Sequence, residues 1–145
     1  MAVVKNVVPV ETNAYIDPHY VSATKDGWGT EMVGSDTIDG ADIVNYTGTM
    51  GLPITNFTIE GKGIKKARVR NKKGRWLGYS DKFDKTTGLG DGTNITGIEI
   101  VGKGFIFAVH LKGGDWMKPV TTSDKEGEVL GGIGTPIDAI WVEKI

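Results

Sequence analysis

The chain of 145 residues has no cysteine. That excludes a disulfide framework, thiol catalysis and thiolate metal sites. It has only two histidines, His19 and His110, whereas metal ligands come in sets of three or four. No HxH or HExxH spacing is present. GxSxG, P-loop and dinucleotide fingerprints are also missing, and GLGDGTN (88–94) has no helix pattern behind it to cradle a phosphate. No cofactor is expected. Apolar runs fall far short of a membrane span, so no membrane insertion is expected. The segment MAVVKNVVPVET lacks the basic and apolar regions of a signal peptide. No stretch of ten or more residues has an amphipathic helical pattern. Charge is almost balanced, 17 basic against 18 acidic residues. The one basic cluster, KKARVRNKKGR (65–75), reads as a solvated strand face and turn, so no nucleic-acid partner is expected.

What the chain has in abundance is glycine, 22 residues, about twice the usual share. The glycines punctuate a repeat. GLPITNFTI (51–59), GTNITGIEI (92–100) and GTPIDAIWV (134–142) follow one template. Their first isoleucines, Ile54, Ile95 and Ile137, lie 41 and 42 residues apart. The last two apolar positions of each copy are two apart, the period of a strand with one buried face.

The rest of the unit recurs in the same order. HYVSATKDGW (19–28), IKKARVRNKKGRW (64–76) and FIFAVHLKGGDW (105–116) each read as a strand, a Gly- and charge-rich turn and a tryptophan. A Ser-Asp pair follows, at Ser35–Asp36, Ser80–Asp81 and Ser123–Asp124. Triplication at a period near 40 predicts a closed all-β domain with pseudo-threefold symmetry. A β-trefoil is favoured and a three-sheet β-prism is the alternative. The whole chain, 1–145, reads as one domain of three repeats, about 14–59, 60–100 and 101–143. Residues before 14 read as an added edge strand.

A triplicated polar loop is not how a single catalytic cleft is usually built, and the sequence shows no paired acid and base, so no enzyme is expected. DTIDGAD (36–42) lacks the ligand order of a calcium loop. The repeated Trp with Ser-Asp points to small-sugar sites. An aromatic face stacks on a pyranose and a carboxylate takes its hydroxyls. The candidate ligand-binding residues are Trp28 and Asp36, Trp76 and Asp81, Trp116 and Asp124. Core packing is the competing reading of the three tryptophans. Trp141 shares its strand position with Thr58 and Glu99, which predicts an exposed tryptophan.

The unit resembles the clostridial hydrophobic repeat with a characteristic tryptophan, the ChW family. The resemblance rests on Gly27–Trp28 with Gly48, Thr49, Gly51 and ITNFTI; on Trp76 with Gly92, Thr93 and ITGIEI; and on AVHLKGGDW with Gly132, Gly134, Thr135 and IDAIWV. It spans about 19 to 143. Arg75 and Asp115 depart from the pattern by separating glycine from tryptophan. The resemblance implies a bacterial surface or cell-wall-associated module that binds carbohydrate, hence a lectin-like protein with a glycan or cell-wall polysaccharide as partner. A structural or protein-contact role, as a virion or surface component, is the second expectation.

Overall fold

The computed structural model describes residues 15–34, 43 and 45–145. Among them every regular element is a strand, and no helix is long and apolar enough to cross a membrane. The expected edge strand before residue 14, and Asp36 with the DTIDGAD loop, lie outside the described residues.

Each repeat begins with a long strand: β1 (His19–Thr24), β6 (Ile64–Arg70) and β8 (Phe105–Leu111). A tight turn then sends the chain back alongside it. In the first repeat the returning segment is β2 (Gly27–Trp28) and β3 (Met32–Val33). In the second it makes only the bridges Arg70–Trp76 and Ala67–Ser80. In the third, a His110–Trp116 bridge precedes β9 (Val120–Thr121). The isoleucine strands are β5 (Asn56–Glu60), β7 (Gly97–Gly102) and β11 (Ile137–Lys144). They pair with β1, β6 and β8 in one shared register: Tyr20 opposite Ile59, Ala67 opposite Ile100, Phe107 opposite Val142. On the far edge of β11 lies β4 (Thr47–Gly48) and on that of β7 lies β10 (Val129–Gly131). Leu89 bridges to Phe57 in the corresponding place on β5. The result is several antiparallel sheets, and none closes into a barrel among the described residues.

The three strand starts are tied together directly. Ile95 N–H donates to the Ile54 carbonyl (2.8 Å), Ile54 N–H to Ile137 (2.9 Å), and Ile137 N–H to Ile95 (2.9 Å). This closed ring satisfies three amides that burial would otherwise leave unpaired. The isoleucine side chains themselves are buried, each worth about 1.5–3 kcal/mol by transfer from water. Around the ring, Gly48, Gly90 and Gly131 have φ of +109°, +125° and +147°. A Cβ there would sit 2.4, 2.3 and 2.3 Å from the carbonyl oxygens of Asp138, Thr55 and Thr96. Both the left-handed backbone and the close approach demand glycine. One core joins Phe57 and Ile59, Ile98 and Ile100, Ile140 and Val142 with Tyr20, Val69, Phe107 and Val109.

The other face of the isoleucine strands corrects an expectation. Trp141 is 1% exposed, and its counterparts Thr58 and Glu99 are equally buried. The loops that follow Ser80–Asp81 and Ser123–Asp124 fold back over this face. Thr58 Oγ1 donates to the Lys82 carbonyl (3.2 Å) and accepts from Asp84 N–H (2.9 Å). The Gly127 N–H donates to Glu99 Oε2. Trp141 lies opposite the small Ala108. The arginines of the basic strand are half-buried and bonded. Arg68 Nε donates to the buried Glu99 (2.7 Å), and Arg70 Nη2 donates to the carbonyls of Thr96 (2.8 Å) and Gly132 (2.9 Å).

A cleft between turn and loop, filled differently in each repeat

In every repeat the turn before the tryptophan stands next to the loop that leads into the isoleucine strand. In the first repeat this leaves a cleft of 430 Å³. Its floor is two buried hydroxyls, Ser22 and Thr47, whose oxygens are 2.9 Å apart. Thr47 Oγ1 also accepts from Ser22 N–H (2.9 Å). Trp28 and Tyr46 line the walls, and Thr24, Asp26 and Thr49 line the mouth. The shared register shows what is unusual. Ser22 occupies the place of the core residues Val69 and Val109, and Thr47 that of Leu89 and Leu130. A hydrogen-bonded polar pair has replaced an apolar one, and space above it stays open.

The second repeat ties the two sides of the corresponding space with polar bonds. Asn71 Oδ1 accepts from Lys73 N–H (3.0 Å) and Arg75 N–H (2.9 Å), and its Nδ2 donates to Asp91 Oδ2 (3.0 Å). Asp91 Oδ1 accepts from the Thr93 hydroxyl (2.6 Å) and N–H (3.0 Å). The Thr93 hydroxyl, then Asn71, hold the Asp91 carboxyl below the usual aspartate range. A cleft of 460 Å³ remains, lined by these residues with Lys72, Lys73 and Arg75. In the third repeat Leu111 packs against Gly132: a Cβ on that glycine would meet Leu111 Cδ1 at 3.3 Å.

All three repeat tryptophans are half-buried. Trp76 lies beneath the guanidinium groups of Arg68 (4.6 Å to the ring centroid) and Arg70 (5.3 Å). Trp116 meets His110 and Tyr46 edge-on at 5.4 and 5.5 Å. The tip of Trp28 reaches Gly88, where a Cβ would lie 3.0 Å from Trp28 Cη2. Each ring thus packs on its own sheet, and Trp28 also lines the open cleft.

The Ser-Asp pairs sit elsewhere. Trp76 stands opposite Arg70 while Ser80 stands opposite Ala67, three residues or about 10 Å along β6. Asp81 lines a separate 380 Å³ depression with Tyr79, Lys65, Lys66 and Lys82. Asp124 is exposed and pairs with Lys103 Nζ (3.2 Å). The serines build turns: Ser80 Oγ accepts from Lys82 N–H (3.2 Å) and Ser123 Oγ from Lys125 N–H (3.1 Å). The fold brings neither Asp81 to Trp76 nor Asp124 to Trp116 in one cleft.

Glu99 and Tyr79 are bonded to each other. Glu99 is fully buried. Burial pushes its carboxyl up, but Gly127 N–H, the Tyr79 hydroxyl and Arg68 outweigh this and leave it below the ordinary value. Partial burial and the bond to Glu99 push the Tyr79 phenol up to about 12. The two histidines are bonded to carboxylates, His19 Nδ1 to Glu31 (2.8 Å) and His110 Nδ1 to Asp138 (2.6 Å). They also differ in register: His110 corresponds to Ala23, not to His19. The second oxygen of Asp138 accepts from Gly51 N–H (2.7 Å) and so anchors the loop beside the open cleft.

Comparison with protein-family models, with curated proteins and with solved structures gives no match. Sequence reasoning missed the cleft residues Ser22, Asp26, Tyr46 and Thr47. The available signal was a polar residue at repeat positions that are apolar in the other two copies.

Proposed function

We propose that the protein is a non-catalytic, lectin-like carbohydrate-binding module whose principal site is the first-repeat cleft. The observation that carries this reading is the substitution of Ser22 and Thr47 for a core pair, beneath an opening lined by Trp28 and Tyr46. Hydroxyls and one carboxylate, Asp26, supply acceptors and donors for sugar hydroxyls. The indole and phenol supply apolar surface for a ring face. The resemblance to the ChW repeat points the same way and to bacterial cell-wall or surface glycans. The three sheets around the isoleucine ring support a β-prism more than a trefoil.

An open cleft with few fixed polar groups binds one sugar weakly, with a Kd on the order of 1 mM, about −4 kcal/mol. A glycan array that includes cell-wall fragments, followed by titration of the best oligosaccharide, tests the reading. Asp26→Ala should weaken binding severalfold, while Asp81→Ala and Asp124→Ala leave it unchanged. No glycan bound at 10-fold above this Kd would give the lead to the protein-contact role. That role has its own support in the loop tips Met50 and Ile133, the latter 98% exposed.

A further inference from the structure

We propose that the second-repeat cleft is a subsite for an anionic group, a phosphate, sulfate or carboxylate carried by a glycan polymer. The three turns before the tryptophans occupy one structural position but differ in charge. The first carries Lys25 and Asp26, the third Lys112 and Asp115, so each is neutral in sum. The second carries Lys72, Lys73 and Arg75 and no acid. At the residue just before tryptophan, Asp115 of the third repeat is replaced by Arg75. All three cations are exposed, and among the described residues none has a carboxylate within ion-pair distance.

The turn that holds them is tied by hydrogen bonds. Asn71 fixes the backbone at Lys73 and Arg75, Gly74 supplies the positive φ (+84°), and Asp91 is fully engaged by Asn71 and Thr93. Asp91 removes one charge from the cleft, which leaves a local excess of two. Three like charges within four residues repel one another, and an anion bound among them lowers that repulsion. A glycan polymer fits better than nucleic acid. The patch is one turn on a chain of net charge −1, and the nearby Trp76 is covered by Arg68 and Arg70 rather than free to stack on bases.

The test is binding of the full chain to dextran sulfate, polygalacturonate and a glycerol-phosphate polymer, with neutral dextran and single-stranded DNA as comparisons. Wild type should bind at least one of the three polyanions more than tenfold more tightly than dextran or DNA at low salt. K72Q/K73Q/R75Q should lose at least tenfold of that affinity. Its log–log salt slope should fall by roughly two to three, about one per cation removed. The melting temperature, which reports folding of the variant, should stay unchanged. Which of the three polyanions binds identifies the anionic group. Equal binding to neutral dextran, stronger binding to DNA, or a folded triple variant that binds like wild type would overturn the proposal. The neutral-sugar titration fails or succeeds independently, because it reads the first-repeat cleft.

Discussion

The first and second repeats share strands, register, glycine positions and the isoleucine ring, yet their clefts have opposite chemistry. In the first, Ser22 and Thr47 open a hydroxyl-lined pocket beside Trp28 whose one charged group is Asp26. In the second, Val69 and Leu89 complete the core, Asn71 and Asp91 bridge the space above it, and three cations ring the mouth. The frame is therefore carried by positions that repeat, and the chemistry by positions that break the repeat. A search for function by looking for what occurs three times finds the frame. The departures find the clefts.

The largest effects should come from the shared frame. Ile95→Ala removes a buried aliphatic side chain from the ring that both repeats use. It should cost about 2–5 kcal/mol, measured by denaturant unfolding. A loss below about 0.5 kcal/mol, as for a surface site, would mean the ring does not hold the repeats together.

Glu99→Ala comes next. It leaves Arg68 without its partner and unmoors the 123–127 loop of the second sheet. The cost should be about 3 kcal/mol, the low end for a broken buried pair because Arg68 reaches water. The same pair predicts an acid limit. Glu99 has a folded-state value below its ordinary 4.5. Its contribution is therefore complete above pH 4.5 and lost as pH falls through the depressed folded value. Glu99→Gln should flatten the wild-type decline in stability below pH 4.5. An unchanged acid profile in that variant would refute the assignment.

The comparison can be sharpened by converting one cleft floor into the other. S22V/T47L installs the apolar pair of the second repeat. The two hydroxyls leave together, but the N–H of residue 22 loses its Thr47 acceptor, so stability should fall by about 1–3 kcal/mol, while sugar binding should fall at least tenfold. S22V alone leaves Thr47 without its side-chain partner and should cost about 1–3 kcal/mol. The smallest effect is expected at the rim of the second cleft, where Lys72→Ala should change stability by less than about 0.5 kcal/mol.

Much of this frame is legible in the sequence because period-2 alternation and glycine spacing have direct physical causes. Ile54, Ile95 and Ile137 are recognisable as core, and the Gly-rich turns as turns. The outer face of the sheets is not legible. Alternation assigns one face to water, but the loops after Ser80–Asp81 and Ser123–Asp124 fold over Thr58 and Glu99, and Trp141 is buried as well. The sequence order of tryptophan and Ser-Asp also does not place them in one cleft in the second and third repeats. Residues four to seven apart on an extended chain are more than 10 Å apart, so order in sequence does not become proximity. Arg68 and Arg70 look free in sequence, and only the long-range partners Glu99 and Gly132 show that they are half-buried and bonded.

The central claim is that binding resides in the departure from the repeat. Amide chemical-shift mapping of the labelled chain, titrated with the best-binding oligosaccharide, tests it most directly. Shifts concentrated at 22–32 and 46–52, and absent in S22V/T47L, are the predicted result. Equal shifts at Trp28, Trp76 and Trp116 and their Ser-Asp loops, persisting in that variant, would contradict it.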